Sequence, residues 1–459
     1  MSATAKHSAL PEGPLLAYYG DDFTGSTDVM EAFTLAGVPT VLFLQTPTVE
    51  WIARFSHMRC IGLAGTSRGR SPAWMREHLP TAFASLKAFG APILQYKVCS
   101  TFDSSPDVGS IGAAIDLGVA AVDGTWSPMV IGAPRLRRYQ AFGHLFAAMG
   151  DVVHRLDRHP TMSRHPVTPM DEADLRQHLA HQTSRRADLI DLVALKNGLG
   201  PERLKAALAG DQPVVMLDVI DEQTLALAGQ LVWENRGDGL FSASSSGLAY
   251  ALVAHWRQAG LLDAPPTLLP TQAVTCIAAI SGSCSPVTAA QIAWAADHGF
   301  DTLRMDVGAV LSSDTFDCEV HRLVSAAQIA MERGTSPLVY SASGPNDPAV
   351  RAFADLAQRA GLALSQAHER VGQALAATMR RIVDTTGVRR IAIAGGDSSG
   401  AVAGALDIAA LTVASDLAPG APLCRAHANT ATMNGLEVAL KGGQMGKPDF
   451  FERVLQGTG

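Results

Sequence analysis

The sequence is short of charge, of aromatic rings and of paired cysteines, and each shortage removes a class of protein. Charged residues make up 17% of the 459, too few for a disordered chain or a coiled coil and well suited to sheet strands covered on both faces. Lys plus Arg number 36 against 43 for Asp plus Glu, a net charge of −7 with no long basic run, which makes nucleic acid and anionic membrane poor partners. The cysteines, Cys60, Cys99, Cys276, Cys284, Cys318 and Cys424, contain no C-x-x-C pair, which argues against a disulfide framework or a zinc site. No apolar run is long enough to span a bilayer, and the opening "MSATAKHSALPEGP" lacks the apolar core of a signal peptide. A soluble, cytoplasmic protein with no membrane partner is the expectation.

What the sequence does have is a series of short apolar runs, each closed by Gly, Ser or Asp and followed by a helical pattern. "LLAYYGDD", "CIGLAGTSR", "PILQYKVCS", "VVMLDV", "CIAAISGS", "LVYSASGP" and "IAIAGGDSSG" are the clearest. Strands alternating with helices predict α/β architecture, and the length calls for two α/β domains with mainly parallel sheets covered by helices. Paired prolines in "GLLDAPPTLLPTQ" mark a seam at residues 260–272, giving an N-terminal domain over 14–259 and a C-terminal domain over 273–459. Around "HRLDRHPTMSRHPVTPMDEADL" the strand pattern fades into a long loop, leading to a helix that starts near Asp171; a loop of that length is suited to covering a site. Its His154, His159 and His165 have no common zinc spacing and read as solvated or lid residues, while Cys99 and Cys284 read as buried thiols.

In open parallel sheets, ligands bind beyond the carboxyl ends of the strands. In "GDDFTGSTD", Asp21 and Asp22 end a strand, and the helix that follows has Val29, Phe33 and Ala36 as its apolar face. A helix cap accounts for one acid; the second is either solvated or is there to take a proton from, or orient, a substrate hydroxyl. Arg68 in "GTSRGR", and Lys97, Ser100, Thr101 and Asp103 in "YKVCSTFDSS", provide cations for a small carboxylate and partners for its hydroxyls. In the C-terminal half, Ser283 in "ISGSCSP", Gly395, Gly396, Asp397 and Ser398 in "GGDSSG", and Gly443 in "LKGGQMG" lie in glycine turns, the first two of them opening helices. None is a P-loop or a dinucleotide fingerprint, and each alone also reads as a plain turn. Lys441 stands directly before the last of them.

Taken in order, "DDFTG", "KVCSTFDSS" with "GSIG", "HPVTPM", "ISGSCSP", "GGDSSG" and "LKGGQMG" resemble the four-carbon acid sugar kinase family over nearly the whole chain. The resemblance implies a sugar-acid-binding N-terminal domain and a nucleotide-binding C-terminal domain, with the active site in the interdomain cleft. It implies ATP and Mg²⁺ as cofactors, and phosphorylation of the 4-hydroxyl of a four-carbon acid, 3-oxo-tetronate ahead of threonate or erythronate. Carried over by motif, Asp21, Asp22, Arg68, Lys97, Ser100, Thr101 and Asp103 face the acid, with Asp22 preferred as base. Ser283, Gly395 to Ser398 and Gly443 face ATP, and many relatives carry Glu where Asp397 stands. Metal ligands are unassigned and a homodimer is open. The alternatives are a non-catalytic sugar-acid binder and a nucleotide-dependent oxidoreductase or isomerase.

Overall fold

The computed structural model describes residues 9–165, 167–209, 212–266 and 270–458, with the side chain of Asp397 left out. Residues 1–8 of the opening segment, Pro166 of "HPVTPM" and residues 267–269 of the seam lie outside the described residues. The chain divides into two compact units, Met1–Pro266 and Thr267–Gly459.

The first unit holds β1 (Leu16–Gly20), β2 (Thr40–Phe43), β3 (Cys60–Ala64), β4 (Ile93–Lys97), β5 (Ser127–Met129), β6 (Arg138–Ala141), β7 (His144–Met149), β8 (Val152–Arg155), β9 (Ala187–Ile190), β10 (Val214–Leu217) and β11 (Leu240–Ser244). Its main sheet runs β11-β4-β1-β3-β2, all parallel. β1 is buried along its whole length, as a central parallel strand requires, and that burial explains its unbroken apolar run. Two tyrosines occupy it because two glycines make room: a Cβ on Gly62 would lie 2.2 Å from the Tyr18 ring, and one on Gly65 would lie 2.1 Å from the Tyr19 ring. Tyr19 stacks on Tyr96 of β4 with centroids 5.9 Å apart.

A second parallel sheet, β5-β10-β9, adjoins the edge strand β11 through serine side chains. Ser242 Oγ donates to the Pro128 carbonyl at 2.8 Å, and Ser244 Oγ accepts from the Val130 amide at 2.8 Å. Strands β6-β7-β8 form an antiparallel sheet that the sequence reading does not anticipate. Beyond it, the expected long loop is two 3₁₀ turns, Leu156–Arg158 and Met162–Arg164, and the helix begins at Leu175 rather than near Asp171. Asp174 fixes that start, because its carboxylate accepts from the Arg176 amide at 3.0 Å. Two histidines of this segment accept backbone amides on Nδ1, buried His159 from Thr161 and Met162, both at 3.2 Å, and His165 from Thr168 at 3.1 Å, while His154 lies on β8.

The second unit holds β12 (Ala278–Ser281), β13 (Phe300–Arg304), β14 (Ser336–Tyr340), β15 (Arg390–Ala394), β16 (Ile408–Ser415), β17 (Leu423–Ala428) and β18 (Glu437–Lys441). Its order is β16-β17-β18-β15-β12-β14-β13, parallel from β18 to β13, with β17 antiparallel to both neighbours. Its apolar core joins Ile277, Ala279, Leu338 and Ala392 to Phe450, Phe451 and Val454 of the helix Phe450–Gln456. At the amino end of β15 the buried Arg390 bonds Glu437 at 2.7 Å, the carbonyls of Val454 and Leu455 at 3.0 Å, and the carbonyl of Gln272 at 2.8 Å. Among the described residues, no helix is long and apolar enough to cross a membrane.

Candidate active site

The carboxyl ends of β11, β4, β1 and β3 lie side by side, so the loops after β1, β3 and β4 open onto one edge of the first sheet. β1 can stop and turn at once because Gly20 has no Cβ; one would stand 1.8 Å from Ser26 Oγ. Asp22 then caps the helix Phe23–Leu35, accepting from the Gly25 amide and the Thr24 hydroxyl, both at 2.9 Å. The face of that helix formed by Val29, Phe33 and Ala36 is buried, as its spacing predicts. Asp21 points elsewhere. Arg68, from the turn after β3, grips it with Nε at 3.0 Å and Nη2 at 2.7 Å, and the same Nη2 reaches Asp22 Oδ1 at 2.8 Å.

One guanidinium therefore binds both acids, and they end up different. Burial raises the Asp21 carboxyl above its usual range despite Arg68. Burial also pushes on Asp22, but Arg68, Lys97, the Thr24 hydroxyl and the Gly25 amide outweigh it and hold that carboxyl below the usual range. Asp22 is also the more open, its side chain 18% exposed against 4% for Asp21. Lys97 ends β4 within this group: a Cβ on Gly25 would sit 2.3 Å from Asp22 Oδ1 and 2.6 Å from Lys97 Nζ. The lysine is 3% exposed, yet among the described residues its ammonium has no hydrogen bond or ion pair. A buried cation left in that condition is an opening for an anionic ligand.

The loop after β4 places Thr101 and Asp103 together, the threonine hydroxyl donating to Asp103 Oδ1 at 2.6 Å and lying 2.9 Å from the Cys99 sulfur. Phe102 between them holds φ at 59°, a left-handed conformation that costs energy for a bulky residue and that tends to occur at functional sites. Burial raises the Cys99 thiol to about 11, as expected of an inert thiol, whereas Cys284 is exposed, contrary to the sequence reading. Ser100 shows no partner among the described residues.

Sequence reasoning missed several groups here. Asp28 lies one and a half turns beyond Asp22 on the same helix, buried, with a carboxyl raised by burial against the pull of Lys97; Tyr250 donates to it at 3.2 Å. No spacing rule pointed to it, because six residues from Asp22 is a different face of the helix. Arg138 on β6 is held below the usual range by burial, offset by Cys99 and Asp103, and its buried Nε has no hydrogen-bond partner among the described residues. No residue-level signal pointed to Arg138, because the hairpin carrying it was not foreseen.

In the second unit the predicted residues meet at the carboxyl ends of the neighbouring strands β18, β15 and β12. The turn after β12 leads through Ser283 into the helix Pro286–Asp297, and Gly395 opens the helix Gly396–Ala405. The turns are close enough to exclude side chains. A Cβ on Gly282 would lie 2.1 Å from Ser398 Oγ, one on Gly443 would lie 2.7 Å from Ser283 Oγ, and Gly395 holds φ at 121°. Ser285 caps its helix through the Thr288 amide at 3.0 Å and also donates to the Gly443 carbonyl. Two helix starts and a glycine cradle beside buried hydroxyls fit a polyphosphate. Among the described residues, no group of three or more His, Cys, Asp or Glu side chains is arranged to hold a metal ion.

Comparison with known proteins adds independent findings. Residues 16–252 match the model of a sugar-binding N-terminal domain, and residues 278–451 that of a nucleotide-binding C-terminal domain. A 3-oxo-isoapionate kinase from Paraburkholderia graminis is 60% identical over 98% of this chain and 96% of its own. A 3-oxo-tetronate kinase from Cupriavidus necator is 30% identical over 98% of each chain. A crystal structure from Salmonella typhimurium LT2, provisionally described as a tRNA synthase, superposes with a TM-score of 0.76 at 25% identity, covering 95% of this chain and 98% of its own. Two matched domains in this order, and a relative this similar along nearly the full length, make the chain an enzyme of the four-carbon acid sugar kinase family.

Proposed function

We propose that the protein phosphorylates the terminal hydroxyl of a short 3-oxo sugar acid, with ATP as phosphoryl donor. The observation that carries this reading is Lys97, a buried cation that has no hydrogen bond or ion pair among the described residues, set beside a carboxylate held below its usual range. The sequence favours 3-oxo-tetronate; the similarity to a 3-oxo-isoapionate kinase makes that acid the first to test.

Phosphoryl transfer asks the protein to align a hydroxyl and to balance charge, more than to make covalent bonds. Asp22 Oδ2, which accepts only from Thr24 among the described residues, is the acceptor proposed for the hydroxyl proton. Arg68, committed to both acids, becomes the group that fixes them, and Lys97 takes over as the cation for the substrate anion. Thr101 and Asp103 supply partners for the remaining hydroxyls. ATP would supply the phosphoryl group, and Mg²⁺ bound with it would offset the phosphate charge. The Gly282–Ser283 turn, Gly395, Ser398 and Gly443 are the residues that would hold the phosphates.

The test incubates the protein with ATP, Mg²⁺ and, separately, 3-oxo-isoapionate, 3-oxo-tetronate, threonate and erythronate, following ADP release. Turnover with a 3-oxo acid well above that with its reduced counterpart is expected; absence of ADP with every acid sinks the proposal. In the same assay Asp22→Asn should lose about 10²–10⁴ in turnover, the range for a positioned acid or base, with KM for ATP little changed.

A further inference from the structure

The second unit contains a lysine that the chemistry above leaves without a task. Lys441 ends β18 and its carbonyl accepts from the Gly395 amide at 2.9 Å, so it belongs to the same strand edge as the glycine cradle. It is completely buried. Its Nζ donates to Thr288 Oγ1 at 2.9 Å and lies 5.8 Å from the Phe450 ring centre; among the described residues no carboxylate pairs with it. Thr288 Oγ1 in turn lies 3.1 Å from both the Ser283 hydroxyl and the Gly443 carbonyl. Two hydroxyls thus connect a buried amine to the turn where Gly282, Gly395 and Gly443 converge.

An ammonium carries three donors, and one is used here. Burying such a charge without a counter-ion is costly, so the amine gives up its proton more readily: burial alone lowers Lys441 to about 7. Among the described residues, which leave out the Asp397 side chain, other charged groups on the surrounding elements do not set that balance. Asp449 and Arg453, at the C-terminal helix, bond each other at 2.9 Å, and Arg390 and Glu437 pair at the opposite ends of β15 and β18. Glu452 on that helix and Cys284 in the turn after β12 contribute nothing to it either.

We propose that Lys441 is a positioning residue for the nucleotide phosphates, acting through the Thr288 and Ser283 hydroxyls, and that it gains a proton from solvent when they bind. The phosphates supply the counter-charge that the described residues withhold. With the amine protonated, its existing bond to Thr288 becomes charge-assisted, and Ser283, accepting from Thr288, is left to donate outward. A lysine kept only for packing would need neither a polar connection to the turn nor a place at the strand edge.

This inference rests on the nucleotide reading above, and its test separates the two. Binding of MgADP is measured by calorimetry at pH 8 in two buffers of different ionisation enthalpy. The wild type should take up about 0.9 proton per nucleotide, since a group titrating near 7 is about one-tenth charged at that pH. Lys441→Met should bind about tenfold or more weakly with no uptake, and Lys441→Arg, always charged, should recover affinity without uptake. Wild-type binding with no proton uptake, or uptake that persists in Lys441→Met, overturns the role given to Lys441 and leaves the nucleotide site standing. Failure of the wild type to bind MgADP or MgATP overturns the nucleotide reading itself.

Discussion

Replacing Lys441 by Met should make the unliganded protein more stable, and the gain should shrink as the pH rises. A lysine titrates near 10.5 in the unfolded chain and near 7 in the fold, so between those values the unfolded state binds more protons. The cost of burying the amine is therefore absent above about 10.5, grows as the pH falls through the window, and levels off below about 7. Integrated from these values it is about 4 kcal/mol at pH 7 and about 2 kcal/mol at pH 9. Methionine fills nearly the same volume, and the lost bond to Thr288 removes about 1 kcal/mol at every pH. Urea unfolding of both full-length proteins at pH 7 and pH 9, followed by circular dichroism, gives the difference directly. The Met variant should lead at pH 7 and lose about 2 kcal/mol of that lead by pH 9. An offset that is the same at both pH values would mean that Lys441 stays charged in the fold, and the argument from burial would fail.

The other expectations concern the first unit. Arg68→Met leaves buried Asp21 and half-buried Asp22 without their shared cation and should cost about 3–5 kcal/mol in urea unfolding at neutral pH; adding Asp21→Asn should recover part of it, and no recovery would mean that the pairing is not what Arg68 contributes. Because Asp22 is held below its ordinary value of 3.8, its share of stability is full above that pH and disappears as the pH falls below it; a wild-type acid-unfolding curve unchanged in Asp22→Asn would contradict this. Gly25→Ala puts a methyl group between Asp22 and Lys97 and should reduce turnover at least tenfold while costing about 1 kcal/mol of cap stability; a fully active variant would show that Lys97 and Asp22 can separate without consequence.

The parallel strands were readable because burial on both faces demands unbroken apolar residues: β1, β4, β12 and β15 are buried at every position. β7 was not, since it alternates buried and half-buried residues over only six positions, and β8 is largely exposed. Asp21 and Asp22 were visible as an unusual pair at a strand end. Their separate fates were not, because these depend on Arg68, which lies 47 residues from Asp21 in the chain and reaches it only after β1 and β3 pair. Residue type alone offered Arg68 and Lys97 together as cations for a small carboxylate. The fold distinguishes them by giving one two carboxylates and the other none. The glycine turns of the second unit were recognisable singly; that they interlock through Ser283 and Ser398 follows from strand order, which no local motif encodes.

Arg390 gathers the segment just past the seam, the last helix and β18 onto a single guanidinium. The beginning and end of the second unit are thereby fastened at one rivet on the sheet margin remote from the glycine cradle. Clipping the final helix would take both carbonyl acceptors from Nη1 of that rivet and leave it unpaired inside the protein, so the last helix should be far less dispensable than a peripheral element.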